Sequence, residues 1–100
     1  MLRISTIDTQ DRRCLIVEGK LVAPWVAELR AAYCRAKADL SGRELIVDLR
    51  WLMVISQEGE NALLELMNEG VRFHGGGVFA KYVIAEIARR SGTNFQELSS

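Results

Sequence analysis

The residues whose types and positions could support chemistry are concentrated between Glu44 and Gly59, in the sequence ELIVDLRWLMVISQEG. Asp48 ends an apolar run typical of a strand buried on both faces. In parallel α/β sheets, ligands and catalytic groups collect at this end of a strand. No second acid, base or metal cluster accompanies Asp48 in the pattern. We therefore predict no catalytic residue and interpret Asp48 as a carboxylate bonded to neighbouring backbone N–H groups.

Metal chemistry has few available ligands in this chain. His74 is the single histidine, and the two cysteines, Cys14 and Cys34, fall in different predicted elements without CxxC spacing. This set is too small for a structural zinc site. We predict no metal and no cofactor, and we expect both thiols to be small buried apolar groups.

A glycine turn, residues 75–77, follows His74 and precedes a predicted helix. Backbone N–H groups at such a junction could hold a phosphate. The turn lacks GxGxxG spacing and the lysine of a P-loop. We interpret it as a strand-to-helix connection. An alternative is a nucleotide or small-molecule pocket formed by this turn, Asp48 and the apolar connection 49–55.

The hydroxyl of Ser56 stands where a helix begins, followed by Gln57 and Glu58. As an N-cap, its oxygen would accept a hydrogen bond from the first turn. As a phosphorylation site, it would place a dianion on exposed N–H groups at the positive end of the helix dipole. We favour the cap. Glu58 is either an ordinary complement to the dipole or an imitation of a phosphorylated residue.

The composition describes one small domain. The chain has 100 residues, one proline, and 13 basic residues balanced by 13 acidic ones. The balance gives no support for a nucleic-acid or anionic-membrane partner, and no apolar run approaches the roughly 20 residues of a membrane span. We expect a single domain over residues 1–92, a polar tail over 93–100 anchored by Phe95 and Leu98, and a cytoplasmic location.

Hydrophobic periodicity predicts the elements that position these residues. In the helix that follows Ser56, the apolar positions are Ala62, Leu63, Leu66 and Met67. Strands are expected at 2–7, 13–18, 44–48 and 71–74, and helices from Pro24 to 41, over 57–69 with a Gly70 cap, and from about Ala80 to 91. The order β-β-α-β-α-β-α predicts an α/β fold with a mostly parallel four-stranded sheet and helices packed on it. The aromatic residues expected in the core or at its edge are Trp25, Trp51, Phe79 and Tyr82.

This order, with its residues, resembles the STAS domain family, which includes anti-sigma-factor antagonists and the cytoplasmic tails of sulfate transporters. The resemblance covers nearly the whole chain. It rests on Gly19 and Leu21 before the first helix, on a central strand ending in Asp48, and on an apolar connection into a helix-opening motif. In the family this motif is of the Asp-Ser-Ser-Gly type. Here it is Ser56-Gln57-Glu58-Gly59.

The resemblance implies a non-catalytic, regulatory interaction module. In the family, a partner anti-sigma factor with serine kinase activity phosphorylates the serine that Gln57 replaces, and phosphorylation releases the antagonist. Gln57 has no hydroxyl, so the usual switch is expected to be lost. The implied partners are a kinase of that kind or other STAS-containing proteins, with oligomers possible. The implied partner-binding residues are Ser56, Gln57, Glu58, Gly59, Glu60 and Asp48.

Two other classes of function remain open from the residues alone. One is the small-molecule or nucleotide-binding module described above. The other is a self-assembling scaffold subunit, which would use an exposed part of the apolar connection from Trp51 to Ile55.

Overall fold

The computed structural model describes residues 1–75 and 77–92 of the chain. The predicted tail over 93–100 and the middle glycine of the 75–77 turn lie outside the described residues. Two strands open the chain, β1 (Leu2–Asp8) and β2 (Arg12–Leu21). They form the predicted antiparallel hairpin, with Leu2 opposite Gly19 and Asp8 opposite Arg13.

The sheet has five strands in the described part of the chain, one more than predicted. β3 (Glu44–Asp48) and β5 (Arg72–His74) occur where strands were expected. The additional strand is β4 (Leu52–Ile55), which lies within the predicted connection 49–55. It forms because β2 is ten residues long and extends beyond β3. The chain turns after β3 and pairs β4, in parallel, with the remainder of β2.

The strand order is β1-β2-β3-β5, with β4 beside β2 beyond the end of β3. β1 is antiparallel to β2, whereas β3 and β4 are parallel to β2 and β5 is parallel to β3. The sheet is therefore mostly parallel, and the predicted α/β class is confirmed.

Three helices follow the predicted order: α1 (Val26–Ala38), α2 (Gln57–Asn68) and α3 (Val78–Ser91). α1 begins later than predicted because Pro24 lies in a turn closed by a hydrogen bond from Trp25 N–H to the Val22 carbonyl. It also ends earlier, because Ser41 (φ 55°) and Gly42 (φ 83°) form a left-handed turn into β3. Gly70 adopts the expected left-handed conformation after α2, with φ 93°.

The core lies between the helices and one face of the sheet. Along β2, Leu15, Val17 and Leu21 are buried, while the alternating Ile16 and Glu18 are partly exposed. This alternation is the pattern of a sheet covered on one face. α2 contributes its predicted apolar positions to the core, which are Ala62, Leu63, Leu66 and Met67.

Several expected core residues are exposed. Trp51 and Tyr82 are more than half exposed, and Phe79 is 38% exposed. Trp51 lies in the turn between β3 and β4, outside the helical layer. The burial prediction was also wrong for Cys34, which lies on the outer surface of α1, and Cys14 is half-buried.

Acidic residues within α2 and at its C-cap connect it to the two neighbouring helices. Glu65 pairs with Arg30 of α1 at 2.9 Å, and Glu60 pairs with Arg90 of α3 at 2.8 Å. Glu69 accepts hydrogen bonds from Lys37 Nζ at 2.8 Å and from the Tyr33 hydroxyl at 2.7 Å. These contacts join α2 to α3 near its start and to α1 near its end.

Candidate functional site

The start of α2 is attached to the end of β2. The backbone N–H of Ser56 donates to the carbonyl of Leu21, the last residue of β2, at 3.0 Å. The Ser56 hydroxyl oxygen accepts from the backbone N–H of Gly59 at 3.2 Å. Ser56 has extended backbone angles, as an N-cap requires. The predicted cap is therefore confirmed.

Gly59 is buried at the point where α2 approaches β2 most closely. A Cβ at this position would lie 2.4 Å from the Leu21 carbonyl oxygen and 2.9 Å from Ile55 Cγ1. The nearest atom belongs to the backbone, so a side chain could be accommodated only by moving the helix. Gly59 thus acts by placing the first turn of α2, and its burial leaves Gln57 and Glu58 as the outward-facing residues of that turn.

The polar part of the first turn is exposed. The Gln57 side-chain amide lies between Asn61 and Arg90. Its nitrogen is 3.3 Å from Asn61 Oδ1. If the amide oxygen and nitrogen exchange places, the oxygen accepts from the Arg90 guanidinium at 3.3 Å. Glu60 is held by Arg90, as described above. Among residues 1–75 and 77–92, Glu58 has no side-chain hydrogen bond or ion pair. Its charge is available at the positive end of the helix dipole.

Two exposed apolar side chains lie in the middle of β4, shortly before this turn. Met53 is 71% exposed and Val54 is 42% exposed. Both remain exposed because β4 pairs with β2 alone among the described strands. We call Met53, Val54, Gln57 and Glu58 the α2-start surface. These exposed residues around the junction of β4 and α2 include apolar area and a carboxylate without a side-chain partner among the described residues, which are components of recognition surfaces.

Asp48 lies apart from the α2-start surface. It is opposite Ile16 in the sheet register, whereas Ser56 is bonded to Leu21. Five residues of an extended strand separate these two points by roughly 16 Å. Asp48 is 1% exposed and accepts from the backbone N–H of Arg50 at 2.9 Å and from its guanidinium Nη2 at 2.9 Å. The predicted backbone bond is confirmed, and the carboxylate shapes the turn that begins β4.

Cys14 lies near Asp48 on the sheet face away from the helices. Burial raises the pKa of the Cys14 thiol, and the negative charge of Asp48 raises it further. The thiolate, which is the nucleophilic form, is therefore disfavoured. Within the described ranges, no group of three or more His, Cys, Asp or Glu residues is arranged to hold a metal ion.

The residues of the alternative pocket are brought together only in part. The sheet register places Asp48 beside His74, next to the glycine turn, and the Leu49 N–H donates to the His74 carbonyl at 2.8 Å. Asp48 is nevertheless buried and bonded to Arg50.

An open cavity of about 510 Å³ lies on the bare sheet face and includes Arg50, Trp51 and Met53 in its lining, but neither Asp48 nor Gly75. A Cβ at Gly75 would lie 2.6 Å from the Ala80 side chain, so this glycine allows α3 to pack against the end of β5. The close approach of α3 therefore accounts for a glycine at position 75, and a bound phosphate is not needed to explain it.

Comparison with known proteins supports the fold at low sequence identity. No protein-family model and no curated protein sequence matches the chain. Among solved structures, an uncharacterized protein of the DUF3478 family with a SpoIIAA-like fold, from Shewanella loihica PV-4, is 16% identical with a TM-score of 0.57. That match covers 92% of this chain and 80% of the other.

Two further structures have similar scores. The anti-sigma factor antagonist SpoIIAA in its unphosphorylated form is 17% identical, with a TM-score of 0.55 over 82% of this chain and 80% of the other. The protein Mglu is 18% identical, with a TM-score of 0.56 over 73% of this chain but only 19% of the other. The chain therefore has a STAS-like α/β fold of the SpoIIAA type, as the sequence predicted. In the described part of the chain, no helix is long and apolar enough to cross a membrane.

Replacing Ser56 with alanine is expected to lower the free energy of unfolding by about 1 kcal/mol, because the Gly59 N–H loses its acceptor. Ser56→Asp restores an acceptor and should remain close to the wild type. Urea denaturation followed by tryptophan fluorescence measures both. Equal stabilities of Ser56→Ala and the wild type would show that the hydroxyl contributes nothing as a cap.

Proposed function

We propose that this chain is a regulatory, non-catalytic protein–protein interaction module of the cytoplasm that binds its partner through the α2-start surface. The supporting observation is that Met53 and Val54 are exposed in β4, a few residues before Glu58, whose carboxylate has no side-chain partner among the described residues. Binding would remove the apolar area from water and give Glu58 a cationic or hydrogen-bonding partner.

The proposed partner class rests on analogy with a protein of the same fold. SpoIIAA, which has the same fold, is named as an anti-sigma factor antagonist. By analogy, the partner is an anti-sigma-factor-like serine kinase or another STAS-containing protein. Ser56, Gly59 and Glu60 support the surface by capping, packing and the ion pair with Arg90. Asp48 contributes indirectly, through the turn into β4.

We propose that partner binding is constitutive, because it is not released by phosphorylation at the position that the STAS family uses. By the resemblance to the STAS family, Gln57 takes the place of the phosphorylated serine, and it offers no hydroxyl. The nearest hydroxyl, on Ser56, is engaged as an N-cap. The alternative of a small-molecule-binding module has less support, because the Asp48 carboxylate is buried and already bonded to the Arg50 N–H and guanidinium.

Affinity capture from extracts of the native cell tests the surface. We expect Met53→Ser and Glu58→Lys each to reduce recovery of the bound partner by about tenfold, as is common when a central interface contact is lost. Val78→Ser is the matched control, since Val78 is an exposed apolar residue at the start of α3, outside this surface. Equal recovery with all variants would contradict the proposed surface.

If the captured partner is a kinase, incubation with ATP and mass spectrometry tests the lost switch. We expect no phosphate on the wild-type residues 56–60 and phosphate on the variant Gln57→Ser. Phosphate on Ser56 of the wild type would overturn the proposal of constitutive binding while leaving the binding surface intact.

A further inference from the structure

The outer edge of β1 is unpaired in the described part of the chain. β1 has seven residues and pairs only with β2. Lys20 N–H donates to the Met1 carbonyl and Thr9 N–H donates to the Arg12 carbonyl, each in the register of the hairpin. Backbone bonding alternates along an antiparallel strand. The odd-numbered residues of β1 therefore bond to β2, and the N–H and C=O groups of the even-numbered residues point outward.

A groove borders the same edge on the helical side of the sheet. It is an open cavity of about 490 Å³ between β1 and α1. Ile4 and Thr6, the central even-numbered residues of β1, line it from the sheet. An incoming strand would thus meet free backbone groups and an open groove at the same positions. The residues that line the cavity from α1 are Glu28, Ala31, Ala32, Arg35 and Ala36.

We propose that a second copy of this chain occupies the edge, so that two β1 strands pair antiparallel about a two-fold axis through Ser5. This axis places Ile4 of each copy opposite Thr6 of the other, so that outward backbone groups meet outward backbone groups. Several antiparallel registers bring outward backbone groups together. The register centred on Ser5 is the one that pairs all seven residues of β1. The two sheets then form one continuous sheet with all helices on the same side, and the interface is isologous.

The charged residues of α1 in one copy complement those of α1 in the second copy that the same axis generates. Glu28 and Arg35 are two helical turns apart, on either side of Ala31 and Ala32. Both are exposed, and neither forms an ion pair within residues 1–75 and 77–92. The two-fold axis makes the α1 helices antiparallel and places Glu28 of each copy beside Arg35 of the other. Two ion pairs form, and no like charges meet between these positions.

The spacing of the elements permits this contact. α1 contacts both β1 and β2, so it lies above the edge of the sheet. Paired strands are about 4.8 Å apart, which places the two α1 axes on the order of 10 Å apart, close to the usual packing distance of helices. Ala31 and Ala32 leave the space between the helices free of bulky side chains.

Sedimentation velocity over a dilution series tests the dimer, with twice the 11.2 kDa monomer mass as the expected result. Glu28→Arg and Arg35→Glu should each weaken self-association by at least about tenfold, because both ion pairs become repulsive. Circular dichroism verifies that each variant is folded, since both substitutions are at exposed positions.

Mixing the Glu28→Arg and Arg35→Glu variants should restore a dimer that contains one copy of each. In this mixed dimer the two introduced side chains form one ion pair. The unchanged Arg35 of the first variant meets the unchanged Glu28 of the second and forms the other. A monomeric wild type, or a mixture that remains as weak as the single variants, would overturn the proposal.

Disulfide formation tests the register in a chain carrying Cys14→Ser and Cys34→Ser. Ser5 faces its own copy in a non-hydrogen-bonded pair, with Cα atoms about 4.5 Å apart, within the range of a disulfide. Ser5→Cys should therefore form a covalent dimer on mild oxidation. Ile7→Cys is the control, because the two copies of position 7 would be on the order of 13 Å apart along the strands. Crosslinking of Ile7→Cys that equals that of Ser5→Cys would overturn the register centred on Ser5.

Discussion

Replacing Gly59 with alanine is expected to lower the free energy of unfolding by about 2 kcal/mol, although alanine normally stabilises a helix relative to glycine by about 1 kcal/mol. The added Cβ would lie 2.4 Å from the Leu21 carbonyl oxygen. The same carbonyl accepts the hydrogen bond from Ser56 N–H. The first turn of α2 must therefore move away from β2 and weaken the bond that attaches it. Urea denaturation followed by tryptophan fluorescence measures the loss.

Gly77→Ala is the matched control for this substitution. Gly77 precedes α3, has an extended conformation with φ −91°, and would place a Cβ in open space. The free energy of unfolding of Gly77→Ala should differ from that of the wild type by less than about 1 kcal/mol, the usual range for a substitution at a helix N-cap. If Gly59→Ala were as stable as Gly77→Ala, close packing of α2 on the end of β2 would not be a determinant of the fold. The displaced turn should also lower partner recovery, because it carries Gln57 and Glu58.

Leu63→Ala is expected to lower the free energy of unfolding by about 3 kcal/mol, because truncation removes apolar contacts and leaves a cavity that the surrounding strands cannot fill completely. Leu63 is completely buried, in the middle of the face that α2 packs on the sheet. Chemical denaturation in urea gives the free energy, and an unchanged dependence on urea concentration would show that the same surface is exposed on unfolding.

The neighbouring Leu64 provides a control of the same residue type in the same helix. It is only partly buried, so Leu64→Ala should cost about 1 kcal/mol. A cost for Leu64→Ala equal to or greater than that of Leu63→Ala would contradict the orientation of α2. Because this orientation turns Gln57 and Glu58 outward, the pair of variants also tests the geometry of the α2-start surface.

Elements with a strong local pattern were predictable from the sequence. The helical spacing of Ala62, Leu63, Leu66 and Met67 predicted α2, and all four side chains are buried. Ser56 as the N-cap and the left-handed Gly70 followed from the preferences of those residue types. The ordered features along the chain also indicated the STAS-like fold, although no single motif was specific.

Features that depend on strand length and register were not predictable in the same way. β4 resembles an apolar connection in the sequence, and it becomes a strand because β2 extends beyond β3. The same arrangement exposes Met53 and Val54, since β4 pairs with β2 alone among the described strands. Asp48 and Ser56 are close in the sequence, but Asp48 lies opposite Ile16 of β2, whereas Ser56 is hydrogen-bonded to Leu21 at the end of that strand.

By itself, the sequence determined what neighbouring residues impose on one another: the helical faces, the cap at Ser56, the turn at Gly70 and the absence of a hydroxyl at Gln57. Only the tertiary structure decided which side chains stay exposed, why Gly59 carries no side chain, and which helices the acids of α2 join. The reason is physical. Caps and periodicity depend on contacts within one turn or strand, whereas exposure and close approach depend on where distant segments pack.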